Sequence, residues 1–276
     1  MDYTELKIAV ETDEQAEIVT AYLSDYPFDS FELSDGELLA YIPTAQLADC
    51  RAEVELLLDE QNALLRSVSE IATQNWNAVW ESDFEEVEVA GKVLIRAPFH
   101  APREGYEGME VVVQPKMSFG TGHHVTTRMM VEMLLGMDVA GQRLLDMGSG
   151  TGVLAIVAAK MGATVMAVEI DDMAEESVRE NIVYNGVAAA VESVCGDASA
   201  IAGRRFDAVL ANINRNILLQ DMAAYVATLQ GGGRLIMSGF FVEDRAVVAE
   251  AARALGLADG RVIEHNGWCA AEFVMA

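Results

Sequence analysis

Residues 143–152 read RLLDMGSGTG and lead into the apolar run VLAIVAA at residues 153–159. Apolar residues followed by alternating glycines predict a buried strand, a tight turn and the first turn of a helix. The free N–H groups at such a helix start suit an anionic or polar ligand group. A dinucleotide-binding turn, GxGxxG, requires a glycine where this chain has Val153. The pattern therefore favours a turn that binds adenosine and a short amino-acid tail.

Strand and helix patterns alternate regularly after this turn. Such alternation predicts an α/β fold with a doubly wound, mostly parallel seven-stranded sheet whose ligand lies at the carboxyl ends of the strands. The last two strands have no helix between them, so we expect an antiparallel hairpin at one edge. With the strand before the turn, the predicted strands are 164–169, 191–195, 207–212, 234–238, 262–264 and 269–275, and the helices are 173–185, 217–229 and 244–255.

The N-terminal part of the chain predicts a separate small α+β domain over residues 1–72. Its order of strand, helix, strand, strand, helix, strand is typical of a ferredoxin-like unit. The predicted strands are 3–10, 28–33, 38–42 and 67–72, and the helices run from Thr12 to Tyr22 and over residues 44–64. Residues 73–109 are predicted to form a linker with one strand at 87–95. Residues 110–276 form the larger domain with the glycine turn, and its first helix opens at Thr126 or Thr127.

The charge of the chain is strongly negative and uneven. The formal net charge is −26, and residues 1–90 hold 22 acidic side chains against three basic ones, a charge of −19. Binding of nucleic acid relies on Lys and Arg at phosphates, so a basic partner is favoured over naked nucleic acid. The alternative is that the acidic surface only maintains solubility.

Other sequence features argue against export, membrane insertion and metal chemistry. The N-terminus is acidic where a signal peptide is basic, and no apolar run reaches the roughly 18 residues of a membrane span. The three cysteines are isolated, which predicts neither a disulfide framework nor a zinc site. His123 and His124 are adjacent and are interpreted as loop residues, so no metal is predicted.

Three polar residues lie at predicted strand ends. Glu169 ends the strand after the glycine turn, where a carboxylate can accept hydrogen bonds from both ribose hydroxyls of an adenosine. Asp197 follows the next strand and is placed either to accept from an adenine amino group or to shape a turn. Asn212 ends the apolar strand in VLANIN, where its amide oxygen can accept from an incoming amine and orient the nitrogen lone pair.

Several motifs together resemble known methyltransferases. The segments DMGSGTGVLAIVAAKMGA, AVEID, GDAS and ANIN resemble the class I S-adenosylmethionine-dependent methyltransferases, which have a Rossmann-like fold. The segments QPKMSFGTGHHVTTRMMVEML, NWNAVWESDF and GWCAAEFV further resemble the ribosomal protein L11 methyltransferase family. This resemblance spans essentially the whole chain. It implies a small domain that grips the substrate, a linker and a catalytic methyltransferase domain.

The resemblance also implies a cofactor, a reaction and site residues. The cofactor is S-adenosylmethionine, and the reaction is methylation of lysine ε-amines and an N-terminal α-amine of a basic large-subunit ribosomal protein in the cytoplasm. The family's cofactor contacts fall on Thr127, Gly148, Glu169 and Asn212, where Glu169 replaces a frequent Asp. We add Gly150 and Asp197 as cofactor-binding candidates and Asn212 as the catalytic candidate.

Three other functions stay open from the sequence. An enzyme of the same fold that methylates adenine in nucleic acid usually has Pro-Pro-aromatic after the strand-end Asn, whereas Ile213, Asn214 and Arg215 follow here. A dehydrogenase is disfavoured by Val153 at the third-glycine position. A ribosome-assembly factor that keeps the cofactor pocket without catalysis is distinguished only by an activity assay. From the acidic charge, the absence of a long apolar run and the residues after Asn212, we predict no membrane association and no direct sequence-specific binding of nucleic acid.

Overall fold

The computed structural model describes residues 3–34, 36–71, 84–115 and 119–275. The chain forms two compact units, Met1–Phe84 and Glu85–Ala276. Most of the NWNAVWESDF motif lies outside the described residues. Within the described part of the chain, no helix is both long enough and apolar enough to cross a membrane.

The first unit has the predicted ferredoxin-like arrangement. Its four strands form an antiparallel sheet in the order β2-β3-β1-β4, and its two helices connect them in the β-α-β-β-α-β order. The elements are β1 (Tyr3–Ala9), α1 (Asp13–Leu23), β2 (Ser30–Ser34), β3 (Glu37–Pro43), α2 (Thr44–Glu60) and β4 (Leu64–Ile71).

Local chemistry sets the limits of these helices. The Thr12 side chain accepts a hydrogen bond from the Gln15 N–H and caps α1, as the sequence indicated. The expectation that the second helix reaches residue 64 is wrong, because α2 ends at Glu60. Asn62 adopts a left-handed backbone with φ 53°, which ends the helix and lets β4 start at Leu64.

The second unit begins with a small three-stranded sheet. It contains β5 (Val87–Val89), β6 (Val93–Arg96) and β7 (Met109–Val112), with β5–β6 antiparallel and β6–β7 parallel. The single strand predicted at 87–95 is therefore wrong. Ala90 and Gly91 have φ values of 53° and 65°, so the chain turns there and splits the segment into a hairpin. Residues 85–109, which the sequence analysis placed in a linker, belong to this unit.

The large sheet of the second unit has seven strands in the order β10-β9-β8-β11-β12-β14-β13. Four neighbouring pairs are parallel and the pairs β12–β14 and β13–β14 are antiparallel, which confirms the doubly wound sheet and its edge hairpin. The strands are β8 (Arg143–Met147), β9 (Thr164–Glu169), β10 (Val191–Cys195), β11 (Phe206–Asn212), β12 (Leu229–Phe241), β13 (Leu257–His265) and β14 (Trp268–Met275).

Helices cover both faces of this sheet. They are α3 (Val125–Leu135), α4 (Val153–Lys160), α5 (Asp172–Tyr184), α6 (Arg215–Thr228) and α7 (Arg245–Ala254). Two buried apolar clusters fill the space between the sheet and its helices. Because the strand order reverses between β8 and β11, the crevice at the carboxyl ends of these two strands is the expected ligand position.

Candidate active site

The glycine turn at the end of β8 is shaped by close contacts that only glycine permits. Gly148 and Gly150 have φ values of 70° and 55°. A Cβ atom on Gly148 would lie 2.2 Å from Cγ2 of Ile213, and one on Gly150 would lie 2.2 Å from the carbonyl oxygen of Phe119. The turn is therefore packed between the end of β11 and the loop before α3. This contact brings the Asn212 segment next to Gly148, as the sequence analysis required.

Glu169, at the end of β9, is bonded directly to the glycine turn. Its Oε2 accepts a hydrogen bond from the Gly150 N–H at 2.8 Å, and its Oε1 accepts from the Ile170 and Asp171 N–H groups at 2.9 and 3.3 Å. A carboxylate has about four acceptor positions, so this side chain keeps capacity for further donors. These bonds fix the carboxylate at the crevice, and its contact with ribose hydroxyls stays a prediction.

Buried oxygen atoms without partners gather at the carboxyl ends of the central strands. Within the described residues, five buried side-chain atoms lack a hydrogen bond, and all but the Tyr106 hydroxyl lie on the glycine-turn strand or on elements that flank it. The four are Thr127 Oγ1, Asp146 Oδ1, Ser149 Oγ and Asn212 Oδ1. Each buried polar atom left without a partner costs about 1–3 kcal/mol. A group of such atoms therefore calls for an explanation, and a polar ligand that binds there and supplies the missing partners is one.

Asp146, which precedes the turn, is a buried carboxyl group with an unusual pKa. Burial raises the pKa of this group to about 7, and the nearby Glu169 charge adds to the increase, while a hydrogen bond from the Ala155 N–H to Oδ2 at 3.1 Å opposes it. The carboxyl group thereby joins β8 to the first turn of α4. In the sequence, Asp146 is marked only by its place in the strand pattern.

The helix that carries Thr127 begins earlier than expected. Neither Thr126 nor Thr127 opens it; the helix starts at Val125, and His124 is its N-cap. His124 Nδ1 lies 3.3 Å from the donating Thr126 N–H and 2.7 Å from Thr126 Oγ1. Burial, with a smaller effect of Arg128, lowers the pKa of His124. The neutral ring therefore accepts at Nδ1 and carries its proton on Nε2.

The other candidates have local partners as well. Asp197 Oδ1 accepts from the Ser199 N–H at 2.8 Å and caps the short 3-10 helix Ala198–Ile201, and the hydrogen bonds from Ser199 lower the pKa of Asp197. This geometry fits the turn interpretation, and contact with adenine stays a prediction. The described residues contain no group of three His, Cys, Asp or Glu side chains suited to hold a metal ion.

Sequence reasoning missed a row of aromatic rings beside the crevice. The ring centroids of Phe119 and His124 are 5.3 Å apart, those of His124 and Trp268 are 4.8 Å apart, and those of Trp268 and Phe241 are 4.2 Å apart. Phe119 and Phe241 are about half exposed. Phe241 ends β12, the parallel neighbour of the strand that ends at Asn212. The rings are distant in sequence, so no local motif indicates that they meet.

Known proteins are similar to this chain in sequence. A family model described as ribosomal protein L11 methyltransferase (PrmA) matches residues 4–275. A relative from Porphyromonas gingivalis named ribosomal protein L11 methyltransferase is 42% identical over 264 residues, which cover 93% of this chain and 90% of that protein.

Solved structures share the fold. A ribosomal protein L11 methylase from Lactobacillus delbrueckii subsp. bulgaricus has a TM-score of 0.64 at 22% identity, covering 69% of this chain and 98% of that one. A T. Thermophilus 16S rRNA N2 G1207 methyltransferase, solved with AdoMet and guanosine, has a TM-score of 0.50 at 19% identity, covering 58% of this chain and 45% of that one. At these identities the likeness concerns the fold, which is that of the class I methyltransferases.

Proposed function

Because this chain belongs to the ribosomal protein L11 methyltransferase family, we propose that it methylates lysine ε-amines or the N-terminal α-amine of that large-subunit ribosomal protein. The methyl donor is S-adenosylmethionine. The observation that carries the proposal is the group of unpaired buried oxygens around the glycine turn, next to the anchored carboxylate of Glu169.

The residues of the crevice fit this donor. Glu169, anchored by the Gly150 N–H, would accept from the ribose hydroxyls, and the left-handed glycines Gly148 and Gly150 would let the ligand approach the backbone. Thr127, Ser149 and Asn212 contribute the unpaired oxygens that a ligand with an amino group and hydroxyl groups can satisfy. When bound, S-adenosylmethionine supplies a methyl group activated by a positively charged sulfur.

The acceptor amine enters beside Asn212. An amine nucleophile must be neutral, although a lysine amine has an ordinary pKa near 10.4 and is mostly protonated at neutral pH. Removal from water lowers the pKa of such an amine. The Asn212 amide oxygen accepts an N–H of the neutral amine and thereby directs its lone pair, a contribution of proximity and orientation.

His124 is poorly suited to remove the amine proton. Its Nδ1 accepts from Thr126, so its other ring nitrogen carries hydrogen and its lone pair is engaged in the helix cap. We infer that the proton leaves to solvent before methylation. The aromatic rings of Phe119, Trp268 and Phe241 instead offer a wall for the aliphatic stem and for the ammonium form of the acceptor, since cations are attracted to aromatic faces.

The first unit is proposed to recruit the substrate. Residues 1–90 carry most of the negative charge of the chain, which complements a basic ribosomal protein. We assign this recognition to residues 1–72 and catalysis to residues 110–276, and we place the reaction in the cytoplasm. This division predicts that the second unit retains donor binding while it depends on the first for protein methylation.

A transfer assay tests the proposal. The enzyme is incubated with S-adenosylmethionine carrying a labelled methyl group, together with purified ribosomal protein L11 and ribosomal RNA. We expect label in the protein, with intact mass and peptide mapping assigning it to lysine or the α-amine. Label confined to RNA would contradict the substrate. No transfer by a protein that binds the donor would instead support a non-catalytic assembly factor.

Two asparagine variants, one at Asn212 and a control at Asn214, sharpen this assay. Asn212→Ala removes the amide oxygen, and we expect a large fall in the rate of transfer to L11. The matched variant Asn214→Ala changes an asparagine two residues away that caps α6 through a hydrogen bond from the Ile217 N–H at 3.1 Å. A similar loss in both variants would assign the effect to the loop and not to the Asn212 amide.

A further inference from the structure

Among the described residues just before α3, the hydrogen bonds to the glycine turn all involve Thr151. We define residues 119–124 as the strap. Thr151, in the glycine turn, donates its N–H to the Phe119 carbonyl oxygen at 3.0 Å and its hydroxyl to the Gly120 carbonyl oxygen at 2.8 Å. The Thr151 side chain has no exposed surface. Its hydroxyl therefore serves the strap alone and is not a free ligand group.

The third polar group of Thr151 is also engaged. Its carbonyl oxygen accepts a hydrogen bond from Asn181 Nδ2 at 2.9 Å, and Asn181 Oδ1 accepts from the Gln114 N–H at 2.9 Å. Asn181 is fully buried on α5. The chain before the strap, at Gln114, and the strap itself, at Phe119 and Gly120, are thus both tied to Thr151.

Glycine allows the strap to lie this close. Gly120 has φ 110°, and a Cβ atom there would lie 2.8 Å from Thr151 Oγ1. Gly122 has φ 90°, and a Cβ atom there would lie 2.8 Å from Cδ1 of Ile95 on β6. Both positions need a left-handed backbone and a missing side chain, so the strap is packed against two neighbouring elements.

A second fastening lies at His123. Its Nε2 is 3.0 Å from the Glu85 carbonyl oxygen, and its Nδ1 is 3.0 Å from Thr121 Oγ1. A carbonyl oxygen only accepts, so Nε2 carries hydrogen, and in the neutral ring Nδ1 accepts from the Thr121 hydroxyl. Glu85 is the first residue of the second unit. His123 therefore ties the strap to the backbone where this unit begins.

We propose that Thr151 and His123 are positioning residues that hold the strap over the glycine turn before the methyl donor binds. The inference rests on the proposed function, because the strap would form a wall of the donor site. If the strap is already ordered in the free protein, donor binding does not lose the conformational entropy of ordering the strap. Releasing either fastening lowers the fraction of protein ready to bind, and the apparent affinity falls by the same factor.

Two matched variants at Thr151 test the hydrogen bond from its hydroxyl to the Gly120 carbonyl oxygen. Thr151→Val keeps the shape but leaves the Gly120 carbonyl without its donor, whereas Thr151→Ser keeps the hydroxyl. Calorimetric titration with S-adenosylmethionine should show roughly 5- to 30-fold weaker binding for Thr151→Val, the equivalent of one lost buried donor. Thr151→Ser should stay near the parent. Equal affinity of Val and Ser variants would overturn the role of the hydroxyl.

Variants at His123 test its hydrogen bond to the Glu85 carbonyl oxygen. Because His123 is exposed, we expect these variants to fold. His123→Ala removes the bond to Glu85, and we expect roughly 2- to 5-fold weaker donor binding, as for one exposed hydrogen bond. His123→Gln carries an amide N–H that can reach the same carbonyl and should restore much of the affinity. Parent-like affinity in His123→Ala would remove His123 from the proposal.

Hydrogen exchange of the free protein separates this inference from the proposed function. Peptides that cover residues 119–124 should exchange faster in Thr151→Val and His123→Ala than in Thr151→Ser and His123→Gln, while melting temperatures fall by no more than about 2–8 °C, the equivalent of one lost buried hydrogen bond. This measurement contains no cofactor, so it reports the fastening even if the parent fails to bind S-adenosylmethionine. Identical exchange in all variants would overturn the proposal.

Discussion

The carboxylate of Glu169 accepts a hydrogen bond from the Gly150 N–H at 2.8 Å and thereby joins the end of β9 to the glycine turn after β8. One side chain thus shapes the turn, and we propose that it also accepts hydrogen bonds from the ribose of the donor. Both roles follow from the parallel pairing of β8 with β9, which places the two strand ends side by side.

Replacing Glu169 by Ala should weaken binding of S-adenosylmethionine by about 1.5–3 kcal/mol, because ribose hydroxyls lose a charged acceptor. Isothermal titration calorimetry measures this change directly. Glu169→Asp, which keeps a carboxylate one methylene shorter, should recover part of the affinity. If alanine binds as tightly as the parent, Glu169 does not contact the ribose.

Gly150→Ala should abolish measurable donor binding and lower the melting temperature, because a Cβ atom would lie 2.2 Å from the Phe119 carbonyl oxygen. Gly186→Ala is the matched control: Gly186 also has a left-handed backbone, with φ 68°, but a Cβ atom there would have no neighbour within 4 Å. In both variants an alanine must adopt the left-handed backbone conformation, which destabilises the folded protein by about 1–2 kcal/mol. Thermal melting and calorimetry on both variants isolate the steric clash, and equal effects would argue against it.

Asp146 should make stability fall as pH rises. Burial raises the pKa of Asp146 to about 7 from an ordinary 3.8, so between about pH 4 and 7 the folded protein keeps a proton that the unfolded chain releases. Stability from this group is complete below pH 4 and is lost as pH rises to 7, by no more than about 4 kcal/mol at 1.36 kcal/mol per pKa unit. Urea unfolding across this range should show the loss in the parent and not in Asp146→Asn. Parallel pH profiles would contradict the assignment.

Trp268→Ala should lower kcat/KM for L11 methylation by roughly 3- to 30-fold, as expected for loss of a cation–aromatic contact. This fall should exceed any loss of affinity for S-adenosylmethionine, which can arise because Trp268 also packs against His124 of the strap. Trp268→Phe should retain most of the activity because it keeps an aromatic face. Val247→Ala, at an exposed apolar residue on α7, serves as the surface control. An unchanged kcat/KM, or a fall no larger than the loss of donor affinity, would show that the aromatic wall does not receive the amine.

The sequence was sufficient for features that depend on periodicity and on short motifs. The alternation after Gly152 predicted the seven-stranded sheet, and the residues that end β9 and β11 were identified as Glu169 and Asn212. These succeed because the ends of parallel strands converge whatever the details of packing.

Features that depend on backbone handedness or on distant contacts were not predictable. Ala90 takes a left-handed conformation that its residue type rarely adopts, and it divides a strand. Asn62 takes the same conformation, which asparagine tolerates but does not require, and it shortens a helix. His124 replaces a threonine as the cap of α3 because its ring is held between Phe119 and Trp268. Such a contact joins residues more than a hundred positions apart and has no local signature.

The position of β14 has a consequence for the growing polypeptide on the ribosome. This strand is translated after β12 and β13 yet lies between them, so until residues 268–275 have emerged β13 has no sheet neighbour and β12 is paired only with β11. Trp268 arrives with the same strand. Co-translational folding therefore completes the proposed amine-binding wall last, and a nascent chain that stalls before Trp268 leaves the β12 edge open to aggregation.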